Sequence, residues 1–122
     1  MRRVLALPLV FAAVLAGCGD SGADGDAPPV ADGARRITVA SRSFAFEPEE
    51  ITIEAGEDVA IVLTSDDILH DFVIDELDLR IKATKSSSGE GGLRVDEAGT
   101  YTFYCSIPGH RNAGMEGTLV VE

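Results

Sequence analysis

Six residues of strand character, Gly99-Thr100-Tyr101-Thr102-Phe103-Tyr104, run directly into Cys105-Ser106-Ile107-Pro108-Gly109-His110-Arg111-Asn112-Ala113-Gly114-Met115. A thiol, an imidazole and a thioether thus recur at five-residue intervals on one loop at the end of a strand. Soft sulfur suits a reduced copper ion and imidazole suits the oxidised one, so this donor mixture points to copper. A single loop cannot enclose the ion. Beyond the first residues the sequence holds two histidines, His70 and His110, one methionine, Met115, and one cysteine after Cys18. Taken alone, His70 reads as a turn or core histidine; to complete the site it has to arrive from a strand distant in sequence but adjacent in space, which demands a rigid β scaffold around the loop. The donors suffice for one metal site and leave no histidine for a second.

The rest of the chain agrees with that demand. After Arg36, short runs rich in β-branched and aromatic residues alternate with turn residues, and no helix-period stretch of useful length occurs. Candidate strands are residues 37–41, 51–54, 59–64, 71–75, 79–83, 93–95, 100–104 and 118–121. Ala55-Gly56-Glu57-Asp58 and Glu97-Ala98-Gly99 are turn chemistry, and residues 85–92 read as a Ser/Gly-rich loop. The pairs Asp66-Asp67 and Asp75-Glu76 lack calcium-loop spacing and read as solvated turns. About eight short strands imply an all-β, Greek-key β-sandwich. With 45% apolar residues in 122, the composition supports a single core.

Residues 1–17 have a basic start, Arg2-Arg3, and then an apolar run interrupted by Pro8 that falls short of the roughly 20 residues of a membrane span. They read as a signal peptide. The run ends Leu15-Ala16-Gly17-Cys18, which resembles the lipobox of bacterial lipoproteins, with Cys18 as the lipidated residue. An ordinary signal peptide, with Cys18 a free thiol or a disulfide partner of Cys105, is the alternative. Residues 18–35, rich in Gly, Ala, Asp, Ser and Pro, have a tether's composition. The expected divisions are thus 1–17, 18–35 and a folded domain at 36–122. Without Arg2 and Arg3 the chain carries 8 Lys and Arg against 21 Asp and Glu, a net of −13. That charge disfavours nucleic acid. It suits either basic protein partners, met at a salt-sensitive rate, or simple solubility.

Across residues 36–122 the chain resembles the cupredoxins, blue-copper proteins of the plastocyanin/azurin type. The likeness rests on Phe46-Glu47-Pro48, Ile51-Thr52-Ile53, Ala55-Gly56, Leu69-His70-Asp71-Phe72, the run from Gly99 to Cys105, and Gly114-Met115-Glu116-Gly117-Thr118. The resemblance implies His70, Cys105 and His110 as the strong copper ligands and Met115 as a weak axial one, the set found at blue-copper electron-transfer sites. Met115 could otherwise be a core residue that fills a gap. In the family an Asn commonly follows the first His and bonds across to the residue after the Cys. Here Asp71 stands in that place, either accepting a bond from Ser106 or facing solvent.

Ile107, Pro108 and Ala113 around His110 resemble the patch through which such proteins exchange electrons, and packing is their other reading. Phe44, Phe46, Tyr101, Phe72 and Phe103 read as core residues, and Tyr104 is left undecided. The expected activity is that of a single-electron carrier rather than an enzyme, because multi-copper enzymes need more histidines than two. A copper-transfer or storage lipoprotein that delivers the ion to an oxidase is the alternative. The expected setting is extracytoplasmic, with the chain monomeric, held at a membrane through Cys18 and exchanging electrons with redox proteins of the membrane or envelope.

Overall fold

The computed structural model describes residues 27–122; residues 1–17 and Cys18 lie outside the described residues, as does the rest of the first half of the segment read as a tether, up to residue 26. Among the described residues nine strands form two sheets. They are β1 (Arg35–Arg42), β2 (Ala45–Glu47), β3 (Glu50–Ile53), β4 (Val59–Ser65), β5 (His70–Ile74), β6 (Leu79–Ala83), β7 (Gly89–Leu93), β8 (Gly99–Tyr104) and β9 (Glu116–Val121). One sheet runs β2-β1-β4-β7 and the other β3-β9-β8-β5-β6. The chain passes repeatedly from one sheet to the other, so β1 pairs in parallel with β4 and β3 with β9, while the remaining pairings are antiparallel. The expected all-β sandwich is the architecture found. A 3-10 turn at Asp75–Leu77 joins β5 to β6. No helix among the described residues is long and apolar enough to cross a membrane.

Burial follows the strand period. In β3 and β6 the alternate residues Ile51, Ile53, Leu79, Ile81 and Ala83 are buried and those between them are not. The strand β5, flanked by β8 and β6, is buried at all five positions. Phe46, Phe72 and Phe103 fill the centre between the sheets. Phe72 stacks on Phe103 with ring centroids 4.6 Å apart, and Phe46 meets both edge-on at 5.8 and 5.4 Å. Edge-to-face and offset contacts of this kind exploit the ring quadrupoles in addition to apolar burial.

Two strands differ from the sequence reading. The three-residue strand β2 has no counterpart in it, because so short a run leaves too few residues for alternation to show. The strand expected at 93–95 is instead β7 at Gly89–Leu93, within the segment read as a loop. Glycine disfavours strands unless another backbone approaches closely, and here one does. Gly92 N–H donates to Pro28 O at 2.8 Å, and a Cβ at Gly92 would fall 2.1 Å from Pro29 O. A Cβ at Gly91 would fall 2.9 Å from that of Ala27, which packs against the core. The residues just before β1 therefore lie along β7, and the glycines make room for them. Ahead of β7 the chain turns sharply, with Thr84 and Ser87 exchanging backbone hydrogen bonds at 2.8 and 3.2 Å.

Two predictions concern the scaffold. A Cβ on Gly117 would lie 2.3 Å from Phe103 Cζ and 2.4 Å from Glu49 O. Because one obstacle is backbone and the other a core ring, Gly117→Ala is expected to cost about 1–3 kcal/mol, read as a lower denaturant midpoint at unchanged slope. Arg35 holds both carboxylate oxygens of Glu57 at 2.9 Å, and with a bond from Glu54 N–H this lowers the Glu57 pKa to about 2. A carboxyl depressed on folding adds stability above its unfolded pKa, and that stability is lost as pH falls toward the folded value. Wild-type stability should therefore decline as pH drops below about 4.3 toward about 2, and Glu57→Gln should flatten part of that decline in denaturant titrations at successive pH values.

Candidate metal centre

The antiparallel pairing of β5 with β8 places Val73 opposite Tyr104. Cys105 leaves the end of β8 as His70 opens β5, so residues 35 apart in sequence arrive at the same end of the sandwich. The connecting loop to β9 then folds back on itself. Met115 N–H donates to His110 O at 3.1 Å, Cys105 N–H donates to Met115 O at 3.1 Å, and His110 N–H donates to Ile107 O at 3.0 Å. Gly109 and Gly114 take φ values of +84° and +103°, and a Cβ at either would meet nothing, so glycine is needed there for backbone conformation and not for space. These bonds make the loop a set of closed turns.

The side chains converge. Nδ1 of His70 lies 3.2 Å from Nδ1 of His110, and Sγ of Cys105 lies 3.9 and 3.5 Å from those two nitrogens. All three residues are buried. A point equidistant from three atoms at these separations is about 2.1 Å from each, within the roughly 2.0 to 2.3 Å of metal bonds to imidazole nitrogen and thiolate. The donors therefore fit a metal in a trigonal arrangement, the geometry that two histidines and one cysteine give copper. Met115 is fully buried beside them, tied through its backbone to both Cys105 and His110.

Groups outside this triangle fix its members. Asp71 is 2% exposed and accepts from Ser106 N–H at 2.6 Å and from the Ser106 hydroxyl, while Arg80 Nε approaches it at 3.9 Å. Of the two readings of Asp71, the bond to Ser106 is the one observed. Asp67 accepts from Ser43 N–H at 2.8 Å and Ile68 N–H at 2.8 Å, and its Oδ1 lies 2.6 Å from His70 Nε2. Those backbone bonds, ahead of the histidine contact, hold the Asp67 carboxyl well below the usual carboxylate range. This residue escapes the sequence reading, in which Asp66-Asp67 is a solvated turn. Its place three residues before His70 is the available signal.

Phe44 also departs from expectation. It lies in the turn between β1 and β2, is 47% exposed, and sets its ring edge-on to His110 with centroids 5.2 Å apart. The tight turn from β1 into β2 leaves its side chain outside the core, whereas Phe46, Phe72 and Phe103 are core as expected. Around His110, Pro108 and Ala113 are exposed, but Ile107 is half-buried and packs against the core. Tyr104 bridges regions: its hydroxyl donates to Asp75 Oδ1 at 2.8 Å, and the Arg111 guanidinium sits 4.1 Å from its ring centroid.

Burial raises the Cys105 thiol pKa, chiefly through desolvation. At neutral pH the metal-free residue is then a thiol, and metal binding as thiolate must expel its proton. Uptake of Cu(II) in weakly buffered solution is expected to release about one proton per ion, with apparent affinity falling as pH falls. Uptake without proton release would contradict a thiolate ligand.

Comparison with known proteins bears on the same region. Residues 34–122 match the profile of the copper binding proteins, plastocyanin/azurin family. Plastocyanin of Scenedesmus fuscus is 34% identical over 92 residues, covering 67% of this chain and 91% of that protein. The copper-resistant cuproprotein CopI of Rubrivivax gelatinosus is 31% identical over 104 residues, covering 68% of this chain and 63% of that protein. Among solved structures, auracyanin A, a blue copper protein of Chloroflexus aurantiacus, superposes with a TM-score of 0.64 at 22% identity. That match covers 74% of this chain and all of auracyanin A, and it supports the fold. With its sandwich, its converging nitrogen and sulfur donors and a family match over 34–122, the chain belongs to the plastocyanin/azurin family of copper-binding proteins.

Proposed function

We propose that this protein is a single-electron carrier with one type 1 copper site, in which His70, Cys105 and His110 are the strong ligands and Met115 the axial one. The convergence of two Nδ1 atoms and one Sγ within 4 Å carries the reading. Bound copper supplies a Cu(I)/Cu(II) couple. The chain supplies a mixed sulfur and nitrogen donor set acceptable to both oxidation states, held by turns and strands that limit rearrangement between them. Similarity to a plastocyanin over most of the folded region supports electron carriage in preference to an enzyme. His110 is 7% exposed at the loop end, near Phe44, Pro108 and Ala113, and this edge is the proposed route for electrons.

The sequence supports the remaining parts of the proposal. Arg2-Arg3, the apolar run and Leu15-Ala16-Gly17-Cys18 favour export and a lipid on Cys18, with the domain held at a membrane outside the cytoplasm. The net acidity favours redox partners with basic docking surfaces. A second reading, copper transfer or storage, is favoured by the similarity to a copper-resistant cuproprotein. Retention of the ion against a Cu(I) chelator through repeated oxidation and reduction separates electron carriage from transfer.

Substitution tests the ligand roles individually. Cys105→Ser is expected to abolish the intense visible band and electron transfer together. Met115→Gln is expected to keep copper bound while lowering the reduction potential, because a harder oxygen donor favours the oxidised ion. An intact blue band in the Cys105→Ser protein would overturn the assignment, and an unchanged potential in Met115→Gln would remove Met115 from the ligand set.

A further inference from the structure

Asp67 lies outside the donor set, on the turn between β4 and β5, yet it touches the surroundings of both histidines. Its Oδ1 is 2.6 Å from His70 Nε2 and its Oδ2 accepts Ser43 N–H at 2.8 Å. Ser43 precedes Phe44, whose ring meets His110 edge-on. One carboxylate therefore fastens His70 directly and fastens the turn that covers His110. The carboxylate is itself held by Ile68 N–H, and Ser65 Oγ closes the same turn by donating to Ile68 O.

The chemistry of the contact is directional. A carboxylate accepts only, so His70 Nε2 carries a proton, and a ring that ligates a metal in this arrangement does so through the lone pair of Nδ1, on the side of Cys105 and His110. A hydrogen bond from a ligating imidazole to a carboxylate also raises the basicity of the ligating nitrogen. A more basic nitrogen and a nearby negative charge both favour the more highly charged metal ion.

We propose that Asp67 is a positioning residue which locks His70 in the Nε2–H tautomer and, through its charge, stabilises Cu(II) over Cu(I) at this centre. The inference rests on the copper reading above. Asp67 would thus set the reduction potential lower than a neutral acceptor at the same place would. Asp71, a second carboxylate near the centre, bonds to Ser106 on the cysteine side, so substitution of Asp67 leaves it in place.

The test uses the full chain with Asp67→Asn and Asp67→Ala. Asn keeps an oxygen acceptor for His70 and loses the charge; Ala loses both. Removal of such a partner costs about 10–100-fold in metal affinity. Cu(II) affinity is expected to fall more than Cu(I) affinity in both variants. Each tenfold difference between the two states raises the potential by about 59 mV for one electron. In the metal-free protein, proton–nitrogen NMR is expected to show a strongly deshielded His70 Nε2–H in wild type. That signal should be weaker in its shift but still present in Asn, and lost to solvent exchange in Ala.

An Asn variant with the wild-type potential would overturn the electrostatic role, and an unaltered Nε2–H signal in Ala would overturn the positioning role. If wild type and variants alike form no blue centre, the proposed function fails, and the metal-free NMR comparison still decides whether Asp67 holds the ring. Should Ala fail to fold, the Asn variant carries both readouts, since loss of deshielding without loss of the proton is expected there.

Discussion

Two imidazole nitrogens and a thiol sulfur within 4 Å of one another, buried at the end of an apolar core, are a poor arrangement for a protein interior taken by itself. The two Nδ1 atoms lie 3.2 Å apart and can share only one proton between them, and a thiol bonds weakly to nitrogen. Buried polar groups normally find full partners, because an unmade bond costs about 1–3 kcal/mol. A shared cation answers all three at once, and much of the fold serves to keep the donors together. The β5–β8 pairing brings His70 beside Cys105, and closed turns return His110 and Met115 to the same spot. The aromatic cluster of Phe46, Phe72 and Phe103 resists collapse of the sandwich beneath them.

Outside the triangle a carboxylate stands on each side. Asp71 locks the residue after Cys105, and Asp67 locks the outer nitrogen of His70. Both are anchored by backbone N–H groups, and neither can rotate away without leaving those donors unpaired. Rigid donors and fixed charges together define a centre whose two oxidation states are served by one geometry. That is the physical requirement for fast electron exchange on the proposed reading.

Much of this is legible in the sequence, for a simple reason. Alternation and β-branched residues mark strands such as Ile51 to Ile53 and the run ending at Tyr104, and the spacing of Cys105, His110 and Met115 marks the loop. What stays hidden depends on tertiary contact. Gly89 to Leu93 form a strand because they pair with β4, their glycines leaving room for Lys82 and for the chain around Pro28 and Pro29, which no local pattern announces. Phe44 has the composition of a core residue and the position of a surface one. Asp67 reads as a solvated turn residue, since an acidic pair in a loop carries no sign that one member points at a histidine.

The account stands most directly on a titration of the metal-free full chain with Cu(II), followed by visible absorption and then by addition of a reductant. It predicts an intense blue band that saturates at one copper per chain and bleaches reversibly as the ion is reduced. A chain that stays colourless while binding Cu(I) would contradict electron carriage, and a chain that binds no copper would contradict the centre itself.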